Sequence, residues 1–250
     1  MSIIKVSRNQ DVSHNYADGY SHQPILVGEF DQARFEKCAL QPGSSITPDI
    51  YSVKEHNQLF IFTAGKGIIT TPRTAWNVTE IGVFVPEFDT ERFTITAALD
   101  SKVPLEFLHI VTDVTPWDTN ALEESRMVLP RFRTISEGWT YDEDFKDNDV
   151  TTSVVLLEHR NLGRLSMGAV LGKGPSVIGQ HIHNELAQWY FPLPGSSFTY
   201  TGGGEEVEMS GGDLSYTPCG FYHGSTAKPG EVYDYIWFEM CLDGYPGDIK

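Results

Sequence analysis

Short apolar runs punctuated by glycine and proline constrain this chain more than any other feature of it. QLFIFTAGKGIITT (58–71), AWNVTEIGVFVPE (75–87), FTITAAL (93–99) and LEFLHIVTDV (105–114) mark the first half. SVVLLEH (153–159), RLSMGAVLG (164–172), QWYFPL (188–193), SFTYTGG (197–203) and YDYIWFEMCL (233–242) mark the second. Runs of strand length, rich in β-branched and aromatic residues and separated by turn formers, predict an all-β chain of sandwiches or barrels. The best helical candidate is the short TNALEESRMVL (119–129), which lies between the halves.

The halves repeat. At an offset of 130 residues Gln58 falls on Gln188, Gly65 on Gly195 and Gly82 on Gly212, and the apolar runs beside them overlay. Three identities in register with matching hydrophobic runs predict a duplication. Residues 1–114 then form one domain and 151–250 a second. The acidic, turn-rich stretch 115–150 is the connector, with MVLPRF and GWTY too apolar to be a free linker.

The chain carries 34 acidic and 18 basic residues, a net charge of −16. Such a surface repels phosphate backbones and anionic membranes, so nucleic acid is not an expected partner. The N-terminal segment has no apolar core of signal-peptide length, and no run approaches a membrane span, so a cytoplasmic protein is expected. Cys38, Cys219 and Cys241 form no CxxC motif and read as reduced thiols.

The residues that carry chemistry lie in the second half. In QHIHNELAQWYF, His181 and His183 are two apart, so on a strand both imidazoles point to one face. Gln188 follows on the next run. In GGDLSYTPCGFYHG, a Pro and a Gly shape the turn that presents His223. Several ligands from neighbouring strands converging on one point is what a metal centre needs.

This pattern resembles the cupin superfamily, whose motifs are G-x5-HxH-x3,4-E-x6-G and G-x5-PxG-x2-H-x3-N. Gly212, Pro218, Gly220 and His223 stand at the second motif's spacing, with Ala227 in place of its Asn. His181, His183 and Gly195 fit the first, with Gln188 in place of Glu and its leading Gly displaced to Gly174. The resemblance implies two tandem cupin barrels of the double-stranded β-helix, or jelly-roll, type. It also implies one divalent transition metal ion (Mn, Fe, Zn, Ni or Co) held by His181, His183, Gln188 and His223, and it makes a homodimer plausible. Subtracting 130 from the ligand positions gives Tyr51, Val53 and Phe93 with only Gln58 retained, so the first barrel is expected to be metal-free.

A His₃-Gln set leaves a divalent ion near its full +2 charge, which favours Lewis-acid chemistry over the higher oxidation states of oxygen activation. The ligand set is similar to that of the cupins that linearise unsaturated uronates. The two-barrel size is similar to the ureidoglycine aminohydrolases, although the ligands differ. The expected function is a metal-dependent lyase, isomerase or hydrolase acting on a small polar, carboxylated metabolite. The alternatives are an Fe(II)-dependent dioxygenase at the same site and a non-catalytic small-molecule binding or sensing protein. Tyr190, on the face of Gln188, and Glu239, an acid amid apolar neighbours, are the expected catalytic proton carriers. Tyr200, Tyr216 and Trp237 are placed with them in the interior. Arg164 or Lys173 is the candidate partner for a substrate carboxylate, and Cys219 is read as a structural thiol.

Overall fold

The computed structural model describes residues 2–245. The chain divides into two units. The first comprises Val12–Thr119 and Arg126–Glu137. The second runs onward from Gly138 and also takes in Asn120–Ser125 and the N-terminal segment up to Asp11.

In the first unit a six-stranded antiparallel sheet and a four-stranded one bury a common core. The order in the larger sheet is Arg131–Thr134, Gly82–Val85, His56–Ala64, Leu105–Asp113, Ala33–Leu40, Tyr20–Ile25. Phe60, Phe62, Phe84, Phe93 and Phe107 fill the space between the sheets. Phe93 has ring centroids 5.4 Å from Phe60 and 5.2 Å from Phe84. An apolar ring thus occupies the position that the repeat pairs with His223.

The second unit has the same plan. Its seven-stranded sheet runs Lys5–Ser7, Leu214–Thr217, Leu186–Pro192, Tyr235–Cys241, Leu165–Gly172, Thr151–Leu162, Trp139–Tyr141. Its four-stranded sheet runs Ser176–Ile182, Tyr222–Ala227, Ser197–Gly202, Glu205–Ser210. Alternation is clearest in Ser197–Gly202, where Phe198 and Tyr200 are buried while Ser197, Thr199 and Thr201 are less so. That is the period of a strand with one face on the core. Tyr190, Tyr235 and Val170 from the larger sheet meet Phe198, Tyr200 and Ile178 from the smaller. In each unit the strands pair as two open sheets rather than one continuous ring, so the expected barrels are jelly-roll sandwiches.

The expected boundaries shift at three places. Residues 2–11, read with the first half, belong with the second unit: Lys5–Ser7 pairs antiparallel with Leu214–Thr217, and Ile4 is buried in that core. The 115–150 stretch is not a passive connector. Arg131–Thr134 adds an edge strand to the first unit and Trp139–Tyr141 one to the second. The helix spans Pro116–Glu124 rather than starting at Thr119. Its start is set by Thr115, whose amide and hydroxyl both donate to the Asp118 carboxylate, while Pro116 takes the first helical position, where no amide is needed.

The repeated glycines are kept for different reasons. Gly65 and Gly195 both sit at positive φ (79° and 86°), ending equivalent strands in turns that other residues enter with strain. Gly82 has ordinary φ, but a Cβ there would lie 3.0 Å from the Arg133 carbonyl oxygen on the paired strand.

Candidate metal centre and cavity

Three of the four predicted ligands come together. His181, at the end of Ser176–Ile182, lies opposite His223 on Tyr222–Ala227, and His183 follows one residue past the strand end. Their ligand nitrogens all lie within 4.8 Å of one another. The ring centroids are 4.2 Å apart for His181 and His223, 5.2 Å for His181 and His183, and 5.5 Å for His183 and His223.

Local backbone features create this convergence. Between the Ile178–Ser225 and His181–His223 pairs, Gly179 and Gln180 oppose Gly224 alone. The extra residue is a β-bulge, which re-aims the side chains that follow it. A Cβ on Gly224 would sit 2.7 Å from the Ile178 carbonyl oxygen, so the bulge requires glycine opposite it. The PxG turn is tied to the His-x-His segment by the Gly220 amide, which donates to the His183 carbonyl at 2.9 Å.

The hydrogen bonds select tautomers. His181 Nδ1 lies 2.8 Å from the Gly179 carbonyl and His223 Nδ1 lies 3.1 Å from the Phe221 carbonyl. A carbonyl only accepts, so both Nδ1 atoms carry the proton and both Nε2 atoms present lone pairs. His223 Nε2 is buried with no hydrogen-bond partner. Burial lowers the pKa of all three imidazoles, and that of His223 falls to about 3 with His181 adding to the effect. Neutral imidazoles, two of them held through Nδ1 and offering Nε2, form the donor set that a borderline divalent transition metal takes.

Gln188 is buried on Leu186–Pro192, in register with Glu239 on one side and Thr217 on the other. Its Nε2 donates to Glu239 Oε1 at 2.7 Å, which fixes the amide and leaves its oxygen as the remaining acceptor. Tyr190, two residues on and on the same face, has its ring centroid 6.2 Å from that of His223. Burial raises the Tyr190 hydroxyl well above the usual tyrosine range, so it acts as a proton-bearing donor rather than as a base. Glu239 is also pushed upward, chiefly by burial, against the opposing hydrogen bond from Gln188.

A cavity of about 660 Å³ opens beside the histidines. His181, His183, Tyr190, Trp237 and Glu239 line it. Other predicted interior residues do not. Tyr216 stacks on Trp189, centroids 5.2 Å apart, on the opposite face of the sheet from Gln188. Tyr200 is buried and bonds Thr217 Oγ1 at 2.8 Å. Arg164 is buried with its guanidinium donating to the Leu242 carbonyl, and neither it nor Lys173 reaches the cavity. The expected clamp for a substrate carboxylate is therefore not built from these two residues. Cys219 does not line the cavity either.

Sequence reasoning missed one wall. Trp139, Tyr141, Glu143 and Phe145, all from the supposed connector, line the cavity. Phe145 lies flat on His181, with centroids 4.0 Å apart and planes 11° from parallel, and its carbonyl accepts from the Gly179 amide at 2.7 Å. Tyr141 and Ser153 hydroxyls donate to the Glu143 carboxylate at 3.2 and 2.9 Å. The signal was present in part: Trp139 and Tyr141 alternate on a short strand, and the same spacing continues to Glu143 and Phe145 beyond its end.

In the first unit, Gln58 keeps the polar role of its counterpart without the histidines. Its Nε2 donates to the Asp49 carbonyl, and its Oε1 lies 3.2 Å from His109 Nε2.

No family model matches the chain. No curated protein matches it either. Solved structures do. A putative glyoxylate-induced protein from Pseudomonas aeruginosa aligns with TM-score 0.74 at 11% identity, covering 100% of this chain and 92% of that one. A Cupin 2 conserved barrel domain protein from Leptotrichia buccalis aligns with TM-score 0.62 at 13% identity, covering 96% and 98%. The Lactobacillus farciminis oxalate decarboxylase, in a formate complex, aligns with TM-score 0.68 at 11% identity, covering 94% and 85%. At such identities the likeness speaks to architecture, and the architecture is that of the cupin fold.

Proposed function

We propose that the chain is a metal-dependent enzyme of the lyase, isomerase or hydrolase type acting on a small molecule held in the cavity of the second unit. The observation that carries this reading is the buried, partnerless Nε2 of His223 facing two further imidazoles within 4.8 Å. An orphaned buried nitrogen costs about 1–3 kcal/mol unless something binds it. His181, His183 and His223 hold the ion, with the Gln188 oxygen as fourth donor. A divalent ion there supplies a Lewis acid that polarises a substrate oxygen.

The chain's own groups handle the protons. Glu239 accepts the Gln188 amide hydrogen at Oε1, and its Oε2 lies 3.4 Å from the Ser166 hydroxyl. A carboxyl pushed upward by burial is suited to exchange a proton with a bound substrate. Tyr190 donates a hydrogen bond. Phe145 holds the His181 ring in place and, with Trp139 and Tyr141, keeps water from one side of the cavity.

A decarboxylase on the same fold supports an enzymatic reading. Its small dicarboxylate substrate does not carry over, because among the described residues no Lys or Arg lines the cavity. Elemental analysis of the purified chain, before and after loading with Mn, Fe, Zn or Ni, tests the proposal. Binding approaching one equivalent, lost in His223→Ala, supports it, whereas less than about a third of an equivalent after loading sinks it. Turnover that requires oxygen would move the assignment to a dioxygenase.

A further inference from the structure

We infer that the cavity of the second unit takes an organic cation, a protonated amine carried on an aromatic or apolar body. This deepens the proposed function and rests on it only for which end of the molecule faces the histidines.

Charge is the first argument. Glu143, Glu158, Glu185 and Glu239 line the cavity, and among the described residues no Lys or Arg does. The imidazoles and the Gln188 amide add no charge in their neutral forms. A divalent ion among them brings two positive charges, and with Glu239 protonated the carboxylates of Glu143, Glu158 and Glu185 still outnumber them. An anionic substrate would meet that excess at short range, in a partly desolvated space where like charges are most costly.

Position is the second argument. Glu143, just past the end of Trp139–Tyr141, and Glu239, on Tyr235–Cys241, reach the same cavity from different parts of the second unit. Two carboxyl groups that share one cavity create a place for a cation. The Glu143 oxygens each accept one hydroxyl hydrogen, from Tyr141 and from Ser153, which orients the carboxylate without exhausting its acceptor sites. An ammonium group brings three donors to sites of this kind.

The walls supply the third. Trp139, Tyr141, Trp237 and Tyr245 present ring surface to the cavity, and ring faces attract organic cations as well as burying their apolar bodies. A volume of about 660 Å³ accommodates one single-ring metabolite with a short side chain.

The test uses the full chain, metal-loaded and metal-stripped, in calorimetric titrations with 2-phenylethylamine, 3-phenylpropionate and 3-phenylpropan-1-ol. The amine is expected to bind at least about tenfold more tightly than the carboxylate and the alcohol, with a preference that shrinks as salt rises. Glu143→Gln should reduce that preference several-fold. Glu185→Gln, at an exposed position on the rim, gives a second variant that does not disturb the interior. The inference is overturned if the carboxylate or the alcohol binds as tightly as the amine, or if both variants keep the full preference. Metal retained with the carboxylate preferred overturns the cation site and leaves the metal centre standing. An amine preference that persists in a chain unable to hold metal supports the cation site and removes the proposed function.

Discussion

Gln188 and Glu239 face each other across adjacent strands, the amide nitrogen of one 2.7 Å from the carboxyl oxygen of the other. A candidate ligand and a candidate acid are therefore one assembly. The carboxyl group decides which end of the amide is presented, and the amide's hydrogen bond opposes the upward push that burial exerts on the carboxyl. Outer hydrogen bonds of this kind orient metal ligands and set their basicity.

Replacing Glu239 should therefore be felt in metal affinity as well as in turnover. Glu239→Leu, which frees the amide, is expected to weaken metal binding about 10- to 100-fold. Glu239→Gln keeps an acceptor oxygen and should cost less than about tenfold in affinity while removing the acidic proton. Competition against a chromogenic chelator separates the two effects. Equal affinities in all three proteins would show that the Gln188 amide does not reach the metal.

His223→Leu tests whether the site is built for function at the expense of stability. The substitution removes an orphaned buried nitrogen, worth about 1–3 kcal/mol, and gives up one hydrogen bond to the Phe221 carbonyl, worth about 1 kcal/mol. The metal-free variant should be as stable as the metal-free parent or up to about 2 kcal/mol more stable. The rise in Tm that metal gives the parent should vanish. Urea melts with and without metal check both halves, and a metal-free loss above about 2 kcal/mol would mean that His223 has a structural role.

The N-terminal segment should be essential to the second unit. Ile4 is 3% exposed within the second core, so Ile4→Ala is expected to cost about 2–4 kcal/mol. Removing residues 2–11 takes more away. It unpairs the edge of Leu214–Thr217 and strips the buried Asp213 carboxylate of the Arg8 guanidinium at 2.7 Å and the Asn9 amide at 2.8 Å. A deletion whose urea midpoint matches that of the full chain would contradict the placement.

Acid should act on the first unit through Glu91. The Arg73 guanidinium beside it holds its carboxyl down at about 2, below the ordinary carboxylate value near 4.5. A depressed folded-state value stabilises the fold above the unfolded-state pKa, and that contribution disappears as pH falls through the folded value. The stability gap between the parent and Glu91→Gln should thus be full above about pH 4.5 and close towards pH 2. Thermal melts across that range check the prediction, and a gap that stays constant would show that the ion pair contributes nothing.

Much of the architecture was legible because strand chemistry is local. Runs such as QWYFPL and SFTYTGG have the length and alternation of strands, and the 130-residue repeat could be read without knowing what pairs with what. The His181, His183 and His223 cluster was legible for a similar reason: a spacing of two sets a common face, and a Pro-x-Gly turn sets the approach of the last histidine. The 139–145 wall was overlooked because its acidic, turn-rich surroundings masked a period-two pattern.

What the sequence alone determined, then, was an all-β chain built twice, with three histidines able to meet in its second half. Tertiary structure decided that Lys5–Ser7 completes the second unit's sheet, since a three-residue strand carries no information about a partner 200 positions away. It also decided that Gln188 meets Glu239, because that depends on register. The sign of the cavity was settled at the same level. Net charge counts every residue, but a ligand meets only the side chains that folding turns inward, and here the charged ones among the described residues are carboxylates, set among rings and aliphatic side chains, with no Lys or Arg.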